Sequence, residues 1–544
     1  MKWTMRKPIP LSLFGNKKKK PLPVYEESVK LEEDEQDLSI ELIGNINKVK
    51  QILGNSNDVR FRNFLVSRTP EIKGVMIYLS CLVDEKVVNQ FIVQGLVNHV
   101  ELADNPSVEA RNEKLIEEIK NQIISVASVR VKQDWNTVIH QILSGNTIIF
   151  VDGINKAVCA STAGGEYRSI QEPTTETAIR GPKDGFIESL QTNISLIRRR
   201  IKSPHLRVET VQIGDISQTN VSIVYVESLA SEKLIKEVKE RINQIEIDEI
   251  LNSANIEELI QDKTFTPFPT VFNTERPDVV VNNLVEGRIV ILVDGTPFLL
   301  VVPTSFSQFF KAADDYYQRY DIATFIRILR YFAFSFSLLG PSLYVALITF
   351  HQDLIPTTLV INLAAQREGI PFPALIEAFL MEITFEVLRE AGIRMPRAIG
   401  QAVSIVGALV IGQAAVQAGI VSAAMVIIVA ATGIASFTTP SYNLAIAARI
   451  LRFFMMILAG TIGLYGIMIG LLLLVTHLCS LRSFGYPYLA PFAPFIPEDQ
   501  KDGLFRFPLW AKTKRPRLVS QKRPDKMKSG MNPAPARGKE KASE

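Results

Sequence analysis

YFAFSFSLLGPSLYVALITF, Tyr331–Phe350, is a run of twenty residues without Asp, Glu, Lys, Arg or His. A second such run covers 51 residues from Ala398 to Ala448, and a third covers Phe453–Thr476. A helix needs about 20 mainly apolar residues to cross a hydrocarbon core. A soluble domain has no use for several runs of that length so close together, so they read as a membrane domain. The 51-residue run is too long for one helix and divides near Ala418-Gly419.

Working outward, Arg327 and Arg330 sit one turn before the first run. Their stems can lie on apolar surface while the guanidinium groups reach the interface. Gly340-Pro341 predicts a kink in this span. Leu354–Ala365 is too short to cross and reads as re-entrant or interfacial. Ile370–Pro396 is an apolar helix studded with acids. Glu382, Glu386 and Glu390 fall four apart on one stripe, Arg389 lies beside it, and Glu377 is on the far side. Two readings stay open: an interfacial amphipathic helix with a wetted face, or the acidic lining of a cation pathway. Gly400, Ser404, Ala408 and Gly412 then recur every four residues, a small-residue stripe that lets helix backbones approach. Arg449 and Arg452 precede the last run, which reads as one span. Four spans are clear and the acid-bearing helix would make five. Four is preferred, because the acids disfavour a lipid-exposed crossing and the basic C-terminus suits that topology.

The bulk composition, 47% hydrophobic and 21% charged with net charge +4 over 544 residues, averages two unlike halves. The start, MKWTMRKPIPLSLFG, has an apolar run too short and too proline-broken for an export signal, so the front half is expected in the cytoplasm. Cys81, Cys159 and Cys479 lie far apart, which indicates neither a disulfide framework nor a zinc site. Strands are read at Gly74–Val83, Asn146–Gly153, Leu206–Ile213 and Asn220–Val226, and a helix at Glu232–Ile245. GNTIIFVDG (Gly145–Gly153) is echoed by GRIVILVDG (Gly287–Gly295). Asp-Gly supplies the positive φ of a tight turn, so both copies predict hairpins and two packed subdomains. Between them, Pro182–Leu206 is a helix ending in Arg198, Arg199, Arg200 and Lys202. Those cations either complement its dipole or meet an acidic partner.

The expected fold is therefore a two-subdomain α+β cytosolic domain followed by a helical transmembrane domain and a basic flexible tail. Its parts are a charged leader (1–36), subdomains at 37–205 and 206–310, and a membrane domain at 322–481. An interfacial Pro/aromatic segment (482–510) and the tail (511–544) complete it. No GxxxxGK[ST], GxGxxG after a strand or HExxH occurs, and the five histidines stand apart. Nothing points to an enzyme, a cofactor, a metal or nucleic acid.

PKDGFIESLQTNISLIRRRIKSP (Pro182–Pro204), FPTVFNTERPDVVVNNLVEGRIVILVDGTPF (Phe268–Phe298), PFPALIEAFLMEITFEVLREAGIRMP (Pro371–Pro396) and FGYPYLAPFAP (Phe484–Pro494) resemble the A subunits of spore germinant receptors, the GerA family, and most of all its K-type members. The resemblance implies a place in the spore inner membrane and a role in nutrient sensing. It implies two partners, a permease-like B subunit that binds the nutrient and a C subunit that is a lipoprotein. It also implies a homo-oligomer in lipid that forms a channel for monovalent cations. On that expectation Glu377, Glu382, Glu386, Glu390, Gly400, Ser404, Ala408 and Gly412 are the candidate ion pathway. A membrane-anchored scaffold gating a separate channel is the alternative. A solute carrier fits less well, since no paired half-repeats with broken helices appear.

Overall fold

Strand order shows that the N-terminal half, called the soluble unit after the expectation above, is built twice. The computed structural model describes residues 37–527 apart from 69–70, 99–107, 121–123, 125, 127, 165–171, 174 and 396–411. Strands β1 (Val59–Arg68), β2 (Glu71–Leu79), β3 (Val129–Lys132), β4 (Thr147–Val151) and β5 (Ala157–Ala160) form an antiparallel sheet in the order β1-β2-β4-β5-β3. Strands β6 (Leu206–Ile213), β7 (Thr219–Val226), β8 (Phe272–Thr274), β9 (Ile289–Val293) and β10 (Leu299–Val302) form another in the order β6-β7-β9-β10-β8. The second order repeats the first, strand for strand. Both Asp-Gly echoes are hairpins, β4–β5 and β9–β10, with Gly153 at φ +80° and Gly295 at φ +88°.

Side chains alternate along these strands, so each sheet has two buried faces. In β9, Val290 and Leu292 face a central core while Ile289, Ile291 and Val293 face an outer one. Ile148 and Phe150 of β4 share that central core, and Ile149 and Val151 turn outward. Helices α1 (Leu42–Leu53), α2 (Trp135–Leu143), α3 (Leu190–Arg200) and α4 (Pro277–Val285) fill the space between the sheets.

The duplication extends to the helix caps. Asp152 Oδ1 accepts from the Leu42 N–H at 3.2 Å, and the Gly153 N–H donates to Ile40 O at 3.1 Å. Asp294 Oδ1 accepts from the Leu190 N–H at 3.1 Å, and the Gly295 N–H donates to Glu188 O at 2.9 Å. One turn on, the Asn45 amide bridges the Ser39 backbone as the Asn193 amide bridges that of Ile187. Each hairpin aspartate thus satisfies one of the orphan donors at the start of the first central helix of its repeat, α1 or α3. By these bonds α3 belongs to the second unit, so the division at 205/206 falls inside that unit. The arginines of α3 face inward partners: Arg198 forms a buried ion pair with Asp58 at 2.8 Å, and Arg200 pairs with Asp184.

The helical unit follows. Helices α5 (Tyr320–Thr349), α6 (Thr357–Arg367), α7 (Ala374–Arg394), α8 (Ala423–Phe437), α9 (Tyr442–Ile462) and α10 (Leu464–Ser480) pack around a separate apolar core. Among the described residues α5 and α9, at 30 and 21 residues, are long and apolar enough to cross a membrane; α8 and α10 are apolar but shorter. Contacts fix their directions. The start of α5 is bonded to the N-terminal unit through Arg330, which donates to Phe310 O at 3.1 Å, and its end meets the end of α9, where a Cβ on Gly463 would lie 2.7 Å from His351. Helices α7, α8 and α10 run back: Leu375 sits against Gly460, Ser436 beside Arg389, and His477 reaches Thr266 of the soluble unit at 2.9 Å.

Several expectations need correcting. The run Phe453–Thr476 is not one span, because Gly463, at φ +67°, ends α9 and turns the chain into α10. Gly466 accepts close approach of the Leu458 carbonyl across this reversal. Arg449 and Arg452 lie inside α9 rather than ahead of a span. Arg327 and Arg330 do not reach out to an interface: both bond Asp315, at 2.9 and 2.8 Å. Residues 482–510 pack against the N-terminal unit. Tyr488 is fully buried, and Ser483 Oγ donates to Thr270 O at 2.7 Å. The start of the basic tail also packs, with Arg515 Nε donating to Val285 O at 2.8 Å. Residues 528–544 and the leader 1–36 lie outside the described residues.

Candidate functional site

Pro341 has no N–H, so the carbonyl four residues earlier, Ser337 O, lacks its helical donor. Arg452 of α9 supplies one. Its Nε donates to Ser337 O at 2.7 Å, Nη2 to Ser337 Oγ at 3.0 Å, and Nη1 to Glu382 Oε2 of α7 at 2.5 Å. Arg452 is 1% exposed and Glu382 fully buried. Three helices are therefore tied at one buried charge pair. A single charge left alone there would be strongly disfavoured, because neither water nor counter-charge would solvate it.

One turn toward the soluble unit, Arg449 Nη1 donates to Glu386 Oε2 at 3.0 Å. Arg389, on α7 itself, stands 3.5 Å from the other Glu386 oxygen, and its Nη2 donates to Ser436 Oγ of α8 at 3.4 Å. At the opposite end Glu377 is fully buried. Its Oε1 accepts from the Ser422 N–H at 2.5 Å and from the Ser422 hydroxyl, and Arg367 stands 3.8 Å from Oε2. Glu390 is exposed and pairs with Arg394 of its own helix at 2.6 Å. The structure thus places Glu377, Glu382 and Glu386 along the inside of the bundle and Glu390 on its surface. Gly412 lies in a helical segment, described over 412–417, opposite Val426; Gly400, Ser404 and Ala408 lie outside the described residues.

The partners Ser337, Ser422, Arg449 and Arg452 were missed from sequence. A signal existed: Arg449 and Arg452 are one turn apart, matching Glu386 and Glu382 on an antiparallel helix.

A second charged centre joins the two units. Asp502 takes Lys512 at 2.7 Å, Arg327 at 3.3 Å, Lys311 at 3.4 Å and the Tyr316 hydroxyl at 3.0 Å. Burial alone would raise its pKa, but Lys311, Lys512 and Arg327 more than offset that and hold the carboxyl well below the usual range. Among the described residues no group of three or more His, Cys, Asp or Glu is placed to hold a metal.

The chain has relatives among known proteins. The chain is 49% identical to spore germination protein KA of Bacillus subtilis (strain 168), over 92% of this chain and 91% of that protein. It is 44% identical to the uncharacterized membrane protein YfkQ of the same strain, over 93% and 96%. A solved structure, the N-terminal domain of the A subunit of the Bacillus megaterium spore germinant receptor GerK3, is 34% identical; it covers 50% of this chain and 97% of that one, with a TM-score of 0.38. The family described as Bacillus/Clostridium GerA spore germination protein matches residues 47–518, and the chain belongs to that family.

Proposed function

We propose that this chain is the A subunit of a nutrient-sensing germinant receptor that forms or gates a path for monovalent cations in the spore inner membrane. It acts as a homo-oligomer with a permease-like B subunit and a lipoprotein C subunit, its large soluble unit on the cytoplasmic, core side. The observation that supports this best is the row of paired ionisable side chains inside the bundle, Glu382–Arg452 and Glu386–Arg449. Charges at such depth mark ion paths or the elements that gate them. In this arrangement arginines hold both carboxylates, a closed state; releasing them toward a path would expose negative charge that concentrates cations. Glu377 and the stripe Gly400, Ser404, Ala408 and Gly412 would continue the path, with Glu390 at its mouth.

A scaffold reading draws on the joint at Asp315 and Asp502, through which movement of the soluble unit would be passed to α5. The two readings separate on the stripe. Ala408→Leu adds bulk, and overpacking costs about 1–3 kcal/mol, so nutrient-triggered cation release from spores should slow at matched protein level. Ile427→Leu, at a 67% exposed position, should be silent. Equal release by the two variants would reject the stripe as part of the path.

A further inference from the structure

Where the bundle meets the soluble unit, a cavity of about 990 Å³ opens between them. Its lining carries five cations, Arg276, Lys311, Arg330, Arg389 and Arg449, against the three carboxylates of Glu176, Asp278 and Asp314. Four of the cations hydrogen-bond a carboxylate: Arg276 to Asp278, Lys311 to Asp502, Arg330 to Asp315 and Arg449 to Glu386. Arg389 does not. Its nearest acid, Glu386, is held more closely by Arg449, at 3.0 Å against 3.5 Å. Its side chain is only 9% exposed, yet the buried Nε has no partner. The rings of Phe385 and Phe437 flank the guanidinium, with centroids 5.0 and 5.3 Å away, and so fix its plane.

A second feature points the same way. The turn Thr438–Pro440 and Tyr442 line the cavity, and they lead into α9, a helix of 21 residues whose N-cap, Ser441, makes no side-chain cap. The open N–H groups and positive dipole end of such a helix favour an anion. A planar guanidinium with a free donor favours one whose oxygens can be gripped in pairs. The α7 wall is apolar, formed by Phe385, Leu388 and Ile393.

We infer that this cavity binds a phosphate group, with Arg389 as its principal ligand and the first turn of α9 as its second. The source is either a phospholipid headgroup whose tail lies against α7 or free phosphate. The site stands whether or not the bundle conducts ions.

The test uses the purified full chain in detergent, with binding followed by native mass spectrometry and titration calorimetry. The probes are short-chain phosphatidic acid, inorganic phosphate and short-chain phosphatidylcholine. Phosphatidic acid should bind at least tenfold more tightly than phosphatidylcholine, and Arg389→Gln should weaken it at least tenfold. Arg394→Gln, on an exposed arginine outside the cavity, should leave binding unchanged. Inorganic phosphate binding with the same dependence on Arg389 would make the free anion sufficient; binding of phosphatidic acid alone would identify the lipid. Should Arg389→Gln fail to fold, Arg389→Lys keeps the charge but loses the paired donors, and at least threefold weaker binding is expected. No preference for the anionic lipid, or wild-type affinity in every folded Arg389 variant, would overturn the site.

Discussion

Removing Arg452 alone should cost far more than removing it together with Glu382. In Arg452→Gln, Glu382 stays fully buried with its counter-charge gone, and the Ser337 carbonyl freed by Pro341 loses its donor. Breaking a buried pair from one side costs about 3–5 kcal/mol. An acceptor left unsatisfied adds about 1–3 kcal/mol, part of which a rotated glutamine side chain recovers. Glu382→Gln leaves Arg452 on Ser337 but uncompensated, and should fall in the same 3–5 kcal/mol range. The double variant carries no net buried charge and keeps amide partners on both helices. The coupling between the two sites should therefore exceed the roughly 3–5 kcal/mol cost of Glu382→Gln alone, so the double variant should be more stable than Arg452→Gln alone. The assay is denaturant or thermal unfolding of purified protein in detergent for the wild type, both single variants and the double. Additivity within about 0.5 kcal/mol, the behaviour of independent sites, would refute the claim that the pair is a buried unit.

Two further outcomes concern the soluble half. Arg198→Ala should destabilise the protein by about 3–5 kcal/mol, since Arg198 and Asp58 are both buried and paired at 2.8 Å across the two repeats; a melting temperature within a degree of wild type would show that the repeats hold without it. Glu176 and Glu257 line a smaller cavity of about 280 Å³, and burial raises both to about 7 against weaker opposing hydrogen bonds. Each folded pKa lies above the unfolded value of about 4.3, so the native state binds more protons between those pH values. The stabilising contribution is therefore complete below about pH 4 and is lost as pH rises through 7. Melting of the full chain should decline across pH 5–7.5, and Glu257→Gln should flatten that decline; an unchanged slope would contradict the raised value.

The charge-free runs located the helical unit because desolvation forbids unpaired charge there whatever the tertiary fold. Asp-Gly located both hairpins because the turn demands positive φ. What the sequence concealed were relations between elements. Asn45 and Asn193 do the same work in the two repeats, but they sit in helices whose other residues have diverged, and the short strands β3, β5, β8 and β10 carry too few residues for a period to show. The acid stripe of α7 was visible at four-residue spacing, whereas its counter-charges came from α9 and were read as flanking arginines. A single helix displays its own charges, not the helix that neutralises them. The glycines of 453–476 read as ordinary packing residues, and only the backbone at Gly463 reveals the reversal. The proline-rich C-terminal stretch has no helical or strand period. Its burial rests on single anchors such as Tyr488 and Asp502, which no local pattern announces.

Cation flux through defined membranes tests the central claim most directly. The full chain, purified and reconstituted in liposomes with the B and C subunits, should release entrapped potassium when nutrient is added. Omitting this chain should abolish the release, and the Glu382→Gln, Arg452→Gln double variant should alter its rate at equal protein content. Flux from liposomes holding only the B and C subunits, equal to that of the full set, would show that the path lies elsewhere and that this chain neither forms nor gates it.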